Sequence, residues 1–384
     1  MSRINTNVSS LIAQRILRQQ NFSLTKSLER LSTGLAINRG ADNPAGLIAS
    51  ENLRSEKAAI SAAIGNAERA DQVVNIAEGG LQEINSLLLE IQGLVGQSAN
   101  QAGLSLEEKE ANQLQIDSIL GTIDRIASST SFQGVKLLNG TFDFTVSAQA
   151  SFVTDFQING AKLAFGENRE VQVLVIQSAQ HAGLFLSTDG NILLDGDDTT
   201  AQLVFEVAGA KGSREFAFAS ATTTSAIRDA INTFTSVTGV SATVSATGGG
   251  VLLKSNEFGS DQFVSVKVID DGGVAGGIAL LSSTDENTVS TTGFTTFASV
   301  QAAIRDAGQD VGAIINGITA VAKGRTASVA TDFLDVSVEL NTSGAQTLAT
   351  VDAFTITGGG AVFNLGPNVD ITNQVSIGIA NVAA

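Results

Sequence analysis

Residues 44–100 read PAGLIASENLRSEKAAISAAIGNAERADQVVNIAEGGLQEINSLLLEIQGLVGQSAN, and this stretch decides the fold. Leu47, Ile60, Ile64, Val74, Leu81, Ile84, Leu88, Ile91 and Val95 keep helical spacing along it. Asp42 or Asn43 can cap its start, with Pro44 in the first turn, where a missing N–H does no harm. At 1.5 Å per residue such a helix is roughly 80 Å long. A globular domain rarely needs that rod. Upstream, Val8, Leu11, Ile12, Ile16, Leu24, Leu28 and Leu31 form one apolar stripe, which Gly34 and Gly40 interrupt. Downstream, a third helix is expected from Leu106 to about Ser128, with Leu114, Ile119, Ile123 and Ile126 on its apolar side. Glu107, Glu108 and Glu110 sit in its first turn, where the helix dipole favours negative charge. From Ser128 to Gly140 the pattern breaks.

Beyond Gly140 the physics changes. Residues 1–140 hold 12 Lys+Arg and 14 Asp+Glu, which leaves 10 and 24 for residues 141–384. Only Phe22 and Phe132 precede Gly140, out of 19 phenylalanines in the chain. The second part reads mostly as strand: Val171–Ile176, Leu203–Val207, Glu215–Phe218, Val251–Lys254 and Phe263–Val268 are short β-branched or aromatic runs punctuated by Gly, Asp and Asn. Short helices are expected at Thr224–Thr233 and Ser299–Ala307. Both contain Ala-Ile-Arg-Asp-Ala (226–230 and 303–307), which fits either a duplicated strand–helix–strand module or two ordinary amphipathic helices. The expected fold class is therefore α+β and multidomain: a long coiled-coil-like helical rod, then a mainly β outer region with short helices. The rod's apolar stripes need partners, because helix stability in water comes mainly from packing.

Composition removes several kinds of chemistry. With no Cys there are no disulfides, thiolate metal sites or cysteine nucleophiles. A net charge of −16 makes nucleic acid a poor partner. No apolar run approaches the ~18–20 residues of a membrane helix, and MSRINTNVSS is too polar for a signal peptide's hydrophobic segment. Export would need a route without a cleaved signal. The single histidine, His181, rules out a His-Glu-x-x-His zinc helix, and no Gly-x-Ser-x-Gly elbow marks a nucleophile. Gly248-Gly-Gly250 and Gly358-Gly-Gly360 lack the Lys-Ser/Thr of a phosphate cradle and read as turns. The acidic loop 189–198 has Leu193 where a calcium loop needs an oxygen ligand, so it reads as two hairpin turns. No enzyme activity, cofactor or metal is expected.

Several motifs in the helical part carry a family resemblance: Ile4-Asn-Thr-Asn7, Ser27-Leu-Glu-Arg-Leu-Ser-Thr-Gly-Leu35, Ile37-Asn-Arg-Gly-Ala-Asp-Asn-Pro-Ala-Gly-Leu47, Gln97-Ser-Ala-Asn100 and Phe132-Gln-Gly-Val-Lys-Leu-Leu-Asn-Gly140. In order and spacing the chain resembles bacterial flagellin, the subunit of the flagellar filament. Leu365-Gly-Pro367 with Val375-Ser-Ile-Gly378 resembles the segment where flagellins re-enter the rod, and residues 199–268 look more loosely like the β modules of flagellin insertions. The resemblance implies a core helix and connection over 1–43, a rod over 44–140, an outward variable β region over 141–361 with a subdomain at about 199–270, and a return segment over 362–384. It implies a filament-core interface formed by Ile4, Val8, Leu11, Ile12, Ile16, Leu24, Leu28 and Leu31. It further implies a helical homo-oligomer outside the cell, exported by the flagellar type III route, with the export apparatus, an export chaperone and a cap protein as partners.

Two departures from the family pattern stand out. The family's C-terminal rod and core helices have no counterpart before Ala384, so the 384 residues are expected to be an N-terminal portion that does not polymerise unaided. On the rod surface, flagellins strongly recognised by the vertebrate flagellin receptor carry Arg where Glu90 stands here, beside Ile91, Gln92 and Leu94. Reversed charge implies weak receptor activation. The competing readings are a hook–filament junction protein and a secreted adhesin whose β region binds glycans. The absence of Trp and Tyr counts against the adhesin.

Overall fold

The structure, a computed structural model, describes residues 7–100, 103, 105–164, 166–188, 192, 202–245, 249–282, 286–289, 294–300 and 302–384. The acidic loop 189–198, apart from Ile192, and Gly248 lie outside them. Three helices open the chain: α1 (Val8–Thr33), α2 (Pro44–Ser98) and α3 (Leu106–Ser129). The chain forms two compact units, one comprising Met1–Val74 with Phe363–Gln374 and the other Asn75–Val362 with Val375–Ala384.

In the first unit, the Asn7 side chain caps α1 by accepting from the Ser10 amide at 3.1 Å. The helix stops where Gly34 turns left-handed at φ +71°. The segment that follows is tied back to α1 by Lys26–Asp42 at 2.7 Å and Arg39–Glu29 at 3.0 Å. Of the two residues the sequence offers as caps for α2, Asn43 takes the role, its Oδ1 accepting from the Gly46 amide at 2.9 Å.

The second unit carries the rest of α2, α3 and two β lobes. A reciprocal capping box starts α3: Ser105 accepts from the Glu108 amide while the Glu108 carboxylate accepts from the Ser105 amide at 2.8 Å. Lobe A is built from two antiparallel sheets. One has the strand order Ile318–Thr319, Gly312–Ile315, Arg169–Gln177, Thr350–Gly359, Phe144–Ser147; the other has Val321–Lys323, Thr326–Ala330, Leu334–Leu340, Val153–Ala161. Strict alternation explains its core: along Arg169–Gln177, Val171, Val173 and Val175 are buried while their neighbours face out. Leu334–Leu340 of the other sheet buries every second residue to meet them.

Lobe B repeats the plan. Its sheets have the orders Thr295–Thr296, Gly277–Leu280, His181–Ser187, Gly250–Phe258, Val240–Val244 and Ile304–Ala307, Phe263–Asp270, Leu203–Gly209, Gly212–Phe218. Helix α4 (Thr224–Thr233) adds Ile227 and Ile231 to a core centred on Phe205, Phe216 and Phe218. Among the described residues that core shares no buried member with lobe A.

One expected helix is absent. Ser299–Ala307 is a short 3-10 turn (Phe297–Ser299) followed by the strand Ile304–Ala307. The same pentapeptide takes two conformations because its surroundings differ. At 226–230 the Thr223 side chain caps the helix and Ile227 and Ile231, one turn apart, both reach the core. At 303–307 the chain pairs with Phe263–Val266, and Ile304 packs on the core from a strand. Tertiary pairing overrides local propensity here.

Candidate assembly surface on the helices

Helix α1 has 26 residues and not one is buried. Ile4 lies outside the described residues. The other expected interface positions, Val8, Leu11, Ile12, Ile16, Leu24, Leu28 and Leu31, are all exposed, from 44% at Ile12 to 82% at Leu31. An apolar stripe of this size is unusual for a free surface. Covering it would contribute on the order of 10 kcal/mol before ordering costs, at roughly 1.5–3 kcal/mol per large apolar side chain.

The connection between α1 and α2 is fixed by chemistry the sequence reading did not single out. The Asp42 carboxylate accepts from the Asn38 and Arg39 amides, both at 3.3 Å, as well as pairing with Lys26. The hydrogen bond from Lys26, helped by those amides, holds Asp42 below the usual carboxylate range against a smaller opposing effect of burial. Gly46 has a steric reason: a Cβ there would stand 2.8 Å from the Ile37 side chain and 2.6 Å from that of Asn43.

On α2 the least exposed positions form a stripe that large-residue spacing does not reveal. Ala63, Ala70, Val73, Ala77, Ile84 and Leu94 are buried, with Asn66, Gly80, Leu87, Ile91 and Ser98 intermediate. Together they follow a strict three–four alternation, the heptad of a coiled coil. Asn66 donates to the Asn364 carbonyl at 3.2 Å in the first unit. In the second unit, Asn112 of α3 donates to the Ser98 hydroxyl at 3.0 Å and Gln115 to the Glu90 carboxylate at 3.2 Å, marking α3 as antiparallel to this part of α2. The interruption at Gly80 is a close approach: a Cβ would meet the fully buried Leu138 side chain at 2.7 Å and the Thr130 hydroxyl at 3.0 Å.

Beside this stripe runs a second one. Ile60, Ala67, Val74, Leu81, Leu88 and Val95 recur every seven residues, and all are exposed. Of the rod-surface group around Glu90, Glu90 and Gln92 face outward, Ile91 is half-buried and Leu94 is buried. Leu94 therefore belongs to the packed heptad stripe rather than to the surface.

The remaining candidates are structural. His181 stacks on Phe258, with ring centroids 3.7 Å apart, and its Nδ1 faces the Glu257 carbonyl at 3.2 Å. Burial pushes its pKa below the ordinary histidine value, against an opposing pull from Glu286. Among the described residues no group of three or more acidic or histidine side chains is placed to hold a metal ion, and no helix is long and apolar enough to cross a membrane.

Comparison with known proteins places this geometry. Residues 4–143 match the family described as bacterial flagellin N-terminal helical region. The helical part is similar to that of bacterial flagellins. Residues 202–257 match the flagellin hook IN motif, which covers the part of lobe B from Leu203–Gly209 to Gly250–Phe258. The chain is 39% identical over 140 residues to the flagellar filament 33 kDa core protein of Treponema phagedenis, covering 36% of this chain and 48% of that one. It is 42% identical over 139 residues to flagellin E of Vibrio cholerae serotype O1, covering 36% of each chain. The chain thus spans about half or less of the length of these curated relatives. Among solved structures, the D2-D3 domains of the flagellar cap protein FliD from Serratia marcescens align over 53% of this chain and 98% of that one, at 21% identity and a TM-score of 0.32.

Proposed function

We propose that this chain is part of a structural subunit that polymerises into a flagellar filament for swimming, and that α1 is its assembly element. The observation that carries this reading is the exposed stripe Val8, Leu11, Ile12, Ile16, Leu24, Leu28 and Leu31 on a helix of flagellin type. An amphipathic helix of 26 residues that buries nothing within its own chain gains its stability on binding. Ile4 joins the same interface. Neighbouring copies supply the other side of it, and the export apparatus, an export chaperone and a cap protein are the further partners. The subunit lies outside the cell, delivered by the flagellar type III route, and has no catalytic role.

The test is Leu24→Asp with Leu28→Asp in the native protein of its source cells. Electron microscopy should find filaments lost and swimming abolished. The melting curve of the purified protein should stay unchanged, because neither side chain is buried. Filaments of normal length would overturn the proposal. On the rod, the outward Glu90 puts a negative charge where strongly recognised flagellins carry Arg. Receptor reporter cells should respond weakly to this protein and more strongly to Glu90→Arg. A full response to the unaltered protein would refute that assignment.

A further inference from the structure

The whole of lobe B is inserted into lobe A through two adjacent segments, Ser178–Gln180 and Gly308–Asp310. Gln180 and Gln309 pair across them with two backbone hydrogen bonds of 2.9 Å. Three backbone segments converge at this neck on glycines. A Cβ on Gly308 would lie 2.5 Å from the Gly259 carbonyl oxygen, and one on Gly259 would lie 2.9 Å from the Gly324 Cα. At the centre sits the Asp310 carboxylate. It accepts from the Ser260 amide at 3.1 Å and from the Ser260 hydroxyl, both in lobe B, and from the Gly324 amide of lobe A at 2.6 Å. The neighbouring ties are exposed or aromatic: Lys323–Asp261 at 2.9 Å, and Phe258 of lobe B, whose ring meets the His181 ring and has the Arg325 guanidinium 5.6 Å from its centroid.

Either side of the neck is open. Clefts of about 550 and 720 Å³ flank it, and both are lined by residues of the two lobes, with Asp310 and His181 common to them. Among the described residues the two cores have no buried member in common, and Phe258 of lobe B, half-buried against lobe A's core, is the hydrophobic side chain that bridges them. A small, mainly polar contact between two bodies with separate buried cores permits relative motion by default.

We propose that this neck is a hinge and that the Asp310 carboxylate is its latch, fixing lobe B against lobe A by holding the Ser260 and Gly324 turns together. The inference concerns the β lobes alone and stands independently of filament assembly. Because the chain has no Cys, Ser213→Cys in lobe B and Thr350→Cys in lobe A, both exposed, give a unique pair of spin-label sites. Pulsed electron–electron double resonance on the full chain should give one narrow distance. Asp310→Ala should replace it by a broad or multiple distribution, while circular dichroism retains the β signal. Ser260→Ala, which deletes one hydroxyl, should broaden it to a lesser degree, and it decides the question if Asp310→Ala does not fold. An unchanged narrow distance in folded Asp310→Ala, or in Ser260→Ala where that variant decides, overturns the proposal. A broad distribution in the unaltered protein overturns it too.

Discussion

At the scale of single residues, the pair Gly79-Gly80 in the middle of α2 separates two reasons for a glycine. A Cβ on Gly79 meets open space, whereas one on Gly80 runs into Leu138 and Thr130. Gly79→Ala should therefore stabilise the protein by about 0.5–1 kcal/mol through helix propensity. Gly80→Ala should lose that gain to the collision and lower the melting temperature, and thermal unfolding of the two variants checks the contrast. Asp42 gives a pH prediction. A carboxyl held below its ordinary value stabilises the fold at pH above roughly 3.9, its unfolded value, and the contribution disappears as pH falls through the lower folded value. An NMR titration of the Asn38 and Arg39 amides, which donate to Asp42, should show a midpoint below that of a free Asp. In Asp42→Asn the step should vanish.

Individual elements show where the sequence could be read and where it could not. All three long helices announce themselves, because Pro44, the Asx and Ser caps and the left-handed Gly34 are local signals. Four lobe B strands (Leu203–Gly209, Gly212–Phe218, Gly250–Phe258 and Phe263–Asp270) and Arg169–Gln177 of lobe A were legible as short β-branched or aromatic runs, and α4 as an amphipathic helix. Which stripe of α2 would be covered was not. Leu81 and Leu88 are as apolar as Ile84 and Leu94, and the buried seven-residue step begins on the small side chains Ala63, Ala70 and Ala77. Burial there depends on where Asn364, α3 and Leu138 return, and that is information remote in sequence. Ser299–Ala307 failed as a helix for a similar reason, as the strand that pairs with its second half, through Phe263–Val266, is itself distant along the chain. The apolar stripe of α1 was visible, but nothing in it names what would cover it. The ion pair of Asp42 and the neck at Asp310 left no sequence signal, since Asp, Ser and Gly are common in turns. Ser105→Ala should remove half of the capping box, cost about 1 kcal/mol, and speed amide exchange in the first turn of α3 without affecting α4.

Across the whole molecule, the two β lobes are energetically separable. Replacing residues 181–307 by a two-residue Asn-Gly turn should leave lobe A folded, because every fully buried member of its core lies outside the excised segment. The expected cost is confined to the loss of Phe258, which packs against that core from lobe B. Dispersed amide resonances for Val173, Val336 and Phe354 would bear this out, and a collapsed spectrum would refute it. The topology of the neck has a heritable consequence. Chain enters and leaves lobe B at neighbouring points, so anything whose ends meet at the spacing of Gln180 and Gln309 can stand in its place. Insertions, duplications and wholesale exchanges between genes can thus be accommodated in that one stretch without touching the helices or the buried core of lobe A.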